Sequence, residues 1–301
     1  MTCARLIVTD AALNSRSRFR LSRQSHGLLA RSIIGVSLLV ALSAPAQEPA
    51  PDALEIVRRS VERDWTDFES HKNYTYQERS EFRQYARNGA AAKVRSETNE
   101  ILILGGRPYE RLTARNDKPL PAREERREQA KLDNELAKRQ HESPAEQARY
   151  QKERTEERAF IRELPDAFTF RLVKTDTVSN QPAWVIEAQP KPGYRAAHSR
   201  AKDFAKVRAT IWIEQATYHW VKVDADVLST ISVDFGLLRV APGSAMHFEQ
   251  TRVNDEIWLP SSMIVRFEAR LALLKVVRGE YNIRYSGYRK FQSNSKIIEG
   301  Q

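Results

Sequence analysis

"ATIWIEQATYHWVKVDADV" occupies residues 209–227, and its reading decides the fold. Ile211 and Ile213 stand two residues apart, and Val221 and Val223 repeat that spacing after the polar and aromatic "QATYHW". A period of two is the signature of a strand, so the stretch reads as two strands bracketing a short turn. Asp224 and Asp226, also two apart, then share one face, opposite Val223, Ala225 and Val227. One face apolar and the other charged describes an antiparallel sheet with a wet side. The two aspartates are therefore expected on the solvated face and not as a general-acid pair.

The same alternation runs outward in both directions. Upstream lie "YTYQERSEFRQY" (74–85), "VRSETNEILIL" (94–104), "RPYERLTA" (107–114), "FTFRLVKTDTV" (168–178) and "PAWVIEAQPKPG" (182–193). Downstream follow "TISVDFGLLRV" (230–240), "MHFEQTRV" (246–253), "SSMIVRFEARLALLKV" (261–276) and "EYNIRYSGYRKF" (280–291). Asn88-Gly89 and Gly105-Gly106 supply turns between the first three. The expectation is an antiparallel meander at the start and about eleven strands in one domain. A short helix is expected in "AHSRAKDFA", residues 197–205.

Two segments break the pattern. In "PDALEIVRRSVERDWTDFES" (51–70), Leu54, Val57, Val61, Trp65 and Phe68 recur at three- and four-residue steps, which builds one apolar helical face. Asp52 is its N-cap, with Glu55 as capping-box partner. The second segment, about 120–163, is a helical insertion of ten Lys/Arg and ten Asp/Glu between residues 122 and 158. Between Ala122 and Arg158, Leu132 and Leu136 are its only large aliphatics, too few for a coiled-coil seam. It divides at "HESPAEQ", where Ser143 caps, Pro144 takes the first helical position and Glu146 closes a capping box. The result is two helices, roughly 120–141 and 144–163, either a solvated hairpin or a lid over the sheet.

Composition limits function. Residues 1–46 read as a signal peptide: six arginines, then "SIIGVSLLVALSAPAQ", closing on Ala44-Pro45-Ala46. Without them, 43 basic and 38 acidic side chains leave +5 instead of +10, and the only cysteine, Cys3, is gone. A soluble, exported, periplasmic domain of residues 47–301 is expected, with no transmembrane segment after cleavage. Nucleic acid is not an expected partner, because the insertion is neutral and has no excess of cations to exchange for counterions. His71, His141, His198, His219 and His247 share no metal-ligand spacing, so no metal or other cofactor is expected. No G-x-S-x-G elbow, P-loop or G-x-G-x-x-G occurs, and no enzyme is expected.

What remains is apolar surface. Ile211, Ile213, Val223, Val233 and Phe235, then Met263, Val265 and Phe267, fall on one face of successive strands, with Phe248 joining if its register allows. Such a face, with few helices to cover it, either fills as a core or curls into a lined cavity that takes an acyl chain.

The order of elements, with the phrases "PAWVIEAQPKPG", "ATIWIEQATYHWVKVDADV" and "IWLPSSMIVRFEARL" (257–271), resembles the bacterial outer-membrane lipoprotein-sorting carriers of LolA/LolB type and the periplasmic regulator RseB. The resemblance implies a mainly β fold with helices (α+β). Its strongly curved antiparallel sheet forms a half-open barrel closed by helices, whose cavity holds a lipid or lipoprotein acyl chain without catalysis. The alternative it implies is an RseB-like envelope sensor that uses the charged insertion to meet a protein partner. The resemblance carries no catalytic residue over to this chain.

Overall fold

The computed structural model describes residues 52–68, 70–86, 88–233, 238–271 and 275–290. The expected signal peptide lies outside them. Helix α1 (Ala53–Asp67) precedes β1 (Tyr74–Tyr85), β2 (Ala91–Leu104), β3 (Arg107–Arg115) and the two-residue β4 (Lys118–Pro119). The charged insertion forms α2 (Ala122–Gln140) and α3 (Pro144–Ala159), and a short α4 (Leu164–Ala167) leads into β5 (Phe168–Val178). Then come β6 (Gln181–Pro190), β7 (Val207–Glu214), β8 (Trp220–Val227), β9 (Ile231–Val233), β10 (Leu238–Val240), β11 (Ala245–Val253), β12 (Ile257–Leu271) and β13 (Lys275–Lys290). No described helix is long and apolar enough to cross a membrane.

All strands join one antiparallel sheet in the order β4-β3-β2-β1-β13-β12-β11-β8-β7-β6-β5, with the β9–β10 hairpin attached to β12. The path has two free ends, β4 and β5, so the sheet curls but does not close. Its curvature has a local cause. Register breaks at Thr75/Gln77, Gln84/Tyr85, Thr98/Asn99, Leu172/Lys174, Trp212/Ile213 and Glu249/Gln250 insert extra residues. Each such bulge bends its strand and increases the local twist. Two-residue turns at Asn116-Asp117 and Ser179-Asn180 hold both residues at positive φ, the form that matches strand twist.

Two expectations need correction. "TISVDFGLLRV" is not one strand: Val233 pairs with Leu238 and Ile231 with Val240, so the segment folds back on itself. "SSMIVRFEARLALLKV" begins four residues earlier, at Ile257, and stops at Leu271. Pro260, paired with Gln250, sits beside the bulge at Ser261, one of the places where a sheet tolerates proline. The short helix expected in "AHSRAKDFA" is present as a 3-10 helix, Ser199–Lys206.

The Ser143–Glu146 capping box is present, with Pro144 at the start of α3. Asp52 caps α1 by accepting from the Leu54 amide at 3.2 Å. Glu55 instead pairs with Arg59 at 2.8 Å.

Glycine is needed at position 279 for space. A Cβ there would stand 2.6 Å from the Phe82 ring and 3.0 Å from the Arg83 carbonyl. Gly279 pairs with Gln84 on one side and Phe267 on the other, so neither backbone can retreat. Gly279→Ala is expected to cost about 1–3 kcal/mol by overpacking. Denaturant unfolding checks it, and a midpoint equal to the parent's would contradict the packing described.

Candidate functional site: the inner face of the half-barrel

Cross-strand partners share a face, and the registers assemble one apolar surface. Val223 pairs with Phe248, Phe248 with Met263, and Met263 with Ile283. Met246 pairs with Val265, and Val265 with Tyr281, which pairs with Phe82. Phe82, Phe248, Met263, Val265, Phe267 and Ile283 are all buried in one cluster with Ile231, Val240, Ala269 and Val277. Phe82, Phe267 and Tyr281 stack, with ring centroids 5.0–6.5 Å apart. Among the described residues, every member of this cluster lies on a strand, and no helix packs on it.

The expected cavity residues therefore separate. Phe248, Met263, Val265 and Phe267 belong to the helix-free cluster, and Val223 packs against it. Ile213 is buried against α1, with Ile56 and Val57, and Ile211 packs at its margin. These two line a surface that the chain already covers. Val233 lies in β9, but its side chain and the whole of Phe235 fall outside the described residues.

Beyond Ile283 the same face turns polar. Ser80 pairs with Ile283, and the next pair along is Glu78 with Tyr285. Glu78 is only 7 % exposed. Tyr76 lies next to it on the face, its ring 6.0 Å from Tyr285 and 5.2 Å from Tyr288. Burial, and then the nearby Glu110 carboxylate, push the Glu78 carboxyl up to about 7. Burial likewise raises the Tyr76 and Tyr288 hydroxyls well above their usual range.

That shift has a sign. An acid whose folded pKa exceeds its unfolded value holds its proton longer in the folded state, so stability falls as pH rises from 4.5 through 7. The loss is about 3 kcal/mol at most. Buried His219, whose pKa is lowered chiefly by desolvation, acts in the opposite sense, since the unfolded chain takes up its proton first. The clean measurement is the difference between the parent and Glu78→Gln. The variant is expected to equal the parent near pH 4.5 and to exceed it above pH 7. A difference independent of pH would contradict the burial of Glu78.

The charged insertion ties the two halves of the sheet together. α2 runs back along β3: Arg115 pairs with Glu124 at its start, and Arg139 reaches the β2–β3 turn at its end. The Arg139 guanidinium donates to the Leu104 and Arg107 carbonyls, each at 2.9 Å, and to Glu135 at 2.6 Å. α3 then leaves that turn, with Arg107 paired to Glu142 and stacked 4.6 Å over Tyr150. At its far end Arg158 pairs with Asp64 of α1 and lies 3.9 Å over Phe68, while Arg162 lies 3.8 Å over Trp65. Asp64 also accepts from Trp220 of β8 at 3.1 Å. The 16 residues of α3 thus make a strap about 24 Å long between the β2–β3 turn and the helix that covers β5–β7. Its outer side carries exposed pairs such as Arg149–Glu153 and Lys152–Glu156.

A polar network anchors the same, C-terminal end of α1. His219 bridges Thr217 and Asp67, each at 2.7 Å, and Glu214 accepts from the Ala216 and Thr217 amides at 2.8 Å. The Thr217 hydroxyl donates to Glu214. The arrangement locks the β7–β8 turn against α1. Asp224 and Asp226 take partners on the wet face, His247 and Arg208 respectively. Among the described residues no group of three or more His, Cys, Asp or Glu is placed to hold a metal ion.

Sequence reasoning missed Glu78, Asp64 and the His219 network. Glu78 had a signal, because it shares the phase of Tyr74, Tyr76 and Phe82 in "YTYQERSEFRQY". Asp64 and His219 had none, since their partners are 94 and 152 residues away.

An open antiparallel half-barrel with an apolar inner face and a helical strap is the architecture on the page. No family model matches the chain, and no curated protein matches it. Solved structures do. The chain is similar to a DUF1329 family protein from Desulfovibrio piger, at 12% identity and a TM-score of 0.33, over 80% of this chain and 94% of that one. It is also similar to a putative outer membrane lipoprotein-sorting protein domain from Vibrio parahaemolyticus, at 11% identity and 0.31, over 79% and 94%. A LolA superfamily protein from Nitrosomonas europaea matches at 11% and 0.28, over 84% and 99%. These are the kinds of protein that the sequence resembles. Scores this low carry no argument about ligand or activity.

Proposed function

We propose that this protein binds an acyl chain of a lipid or lipoprotein in its half-barrel, without catalysis, after export to the cell envelope. The domain would be a single unit of residues 47–301, with α2 and α3 as an insertion that straps the open side. The observation that carries the reading is the inner-face cluster that, among the described residues, no helix covers. Phe248, Met263, Val265 and Phe267 are strand residues that no described helix covers, whereas Ile211 and Ile213 lie under α1. An apolar face of this kind is a favourable place for an alkyl chain, worth about 0.8 kcal/mol per buried CH₂. The leader-like residues 1–46 support export.

The test is displacement of a neutral fluorescent alkyl-binding probe by dodecanol. Saturable displacement by the parent, weakened at least tenfold in Met263→Asp that still folds, is the expected result. A parent that binds neither probe nor dodecanol would overturn the reading. The exposed charges of α3 would then favour contact with an envelope protein.

A further inference from the structure

We propose that the polar end of the inner face, at Glu78, takes the cationic amine head of an amphiphile whose chain lies along the apolar cluster. The proposal rests on the binding function above and names the class of ligand.

Glu78 is more than nine-tenths buried, and among the described residues it forms no hydrogen bond or ion pair. A buried carboxylate without a partner is costly, and each such group in a native fold calls for an explanation. Its surroundings point to one. Tyr76 from β1 and Tyr285 and Tyr288 from β13 set three rings around it, and Asn99 of β2 is its other cross-strand neighbour. The Tyr288 hydroxyl is occupied by the Pro260 carbonyl at 2.5 Å, so what this ring offers is its π-surface. Aromatic faces beside a carboxylate are a recurring environment for ammonium groups. A second carboxyl, Glu110 of β3, joins the same face through the register Tyr76–Ile101–Glu110.

Among the described residues, three cations near this end have contacts elsewhere. Arg154 of α3 is the basic group that approaches from the strap. It is held by Phe68, 4.7 Å from the ring centroid, and by the Tyr150 hydroxyl at 3.2 Å. Arg79, next in sequence to Glu78, points to the opposite face, where Asp117 and Glu81 take it. Lys290 pairs with Glu256. A fatty-acid carboxylate would meet like charge from Glu78 and Glu110, so an anionic head is disfavoured here.

The experiment compares three ligands of equal chain length, dodecylammonium, dodecanol and dodecanoate, as displacers of the same neutral probe from the full chain. At pH 8 dodecylammonium is expected to act at a concentration about tenfold below that of dodecanol, with dodecanoate weakest. In Glu78→Gln the amine should lose that tenfold advantage while dodecanol is unchanged. In the parent the advantage should also shrink at pH 5.5, where Glu78 carries its proton. Equal displacement by all three ligands, or an amine preference that survives Glu78→Gln, overturns the proposal while leaving the alkyl-binding function standing. Binding of none of them overturns both.

Discussion

Phe267→Glu is expected to remove about 5 kcal/mol or more, comparable with the whole stability of an ordinary domain. Two losses combine. Truncating a buried aromatic typically costs about 3–5 kcal/mol. A carboxyl is also placed among the rings of Phe82 and Tyr281, stacked 6.5 and 6.1 Å from the ring of Phe267. Phe267→Leu separates the two, since it keeps an apolar side chain and should cost only the lost ring contacts. Thermal unfolding of both variants measures this. A folded Phe267→Glu with a near-parental midpoint would mean that the side chain faces water and that the inner face is wrongly assigned.

Asp64→Ala is expected to cost about 3–5 kcal/mol, the range for removing one partner of a buried ion pair. Asp64 is 8 % exposed and holds two groups at once, the Arg158 guanidinium of α3 and the Trp220 indole N–H of β8. Removing it leaves Arg158 buried without its carboxylate. Asp64→Asn keeps an acceptor for Trp220 but drops the charge, so its loss should be intermediate. Amide hydrogen exchange locates the effect. Faster exchange in residues 144–159, at the α1 end of the strap, is expected first. Unchanged exchange there, together with full stability, would show that the strap is held by other contacts.

Much of this architecture is legible in residue order because half-buried strands write their own period. "YTYQERSEFRQY" and "FTFRLVKTDTV" become β1 and β5 at the quoted limits. The division of the insertion at Ser143-Pro144 is equally local, since a capping box needs only residues three apart. What periodicity does not carry is the choice of partner. The β9–β10 hairpin depends on Val233 meeting Leu238, a choice invisible in an apolar run. The inner-face residues were identified by alternation, but alternation could not tell Ile213, which meets α1, from Met263, whose cluster among the described residues lies on strands. Residue order left the insertion open between a solvated hairpin and a lid because its anchors are arginines. Their stems and planar heads pack on Tyr150, Phe68 and Trp65, contacts that a count of aliphatic residues overlooks.

The central claim is that the inner face holds an alkyl chain. Its most direct test is purification of the protein from the cell envelope without detergent, followed by native mass spectrometry and by extraction and mass analysis of retained lipid. The account predicts a folded protein carrying close to one acyl-bearing molecule per chain, lost on unfolding. A folded, cooperative protein that releases no lipid and takes up none when it is supplied would contradict it.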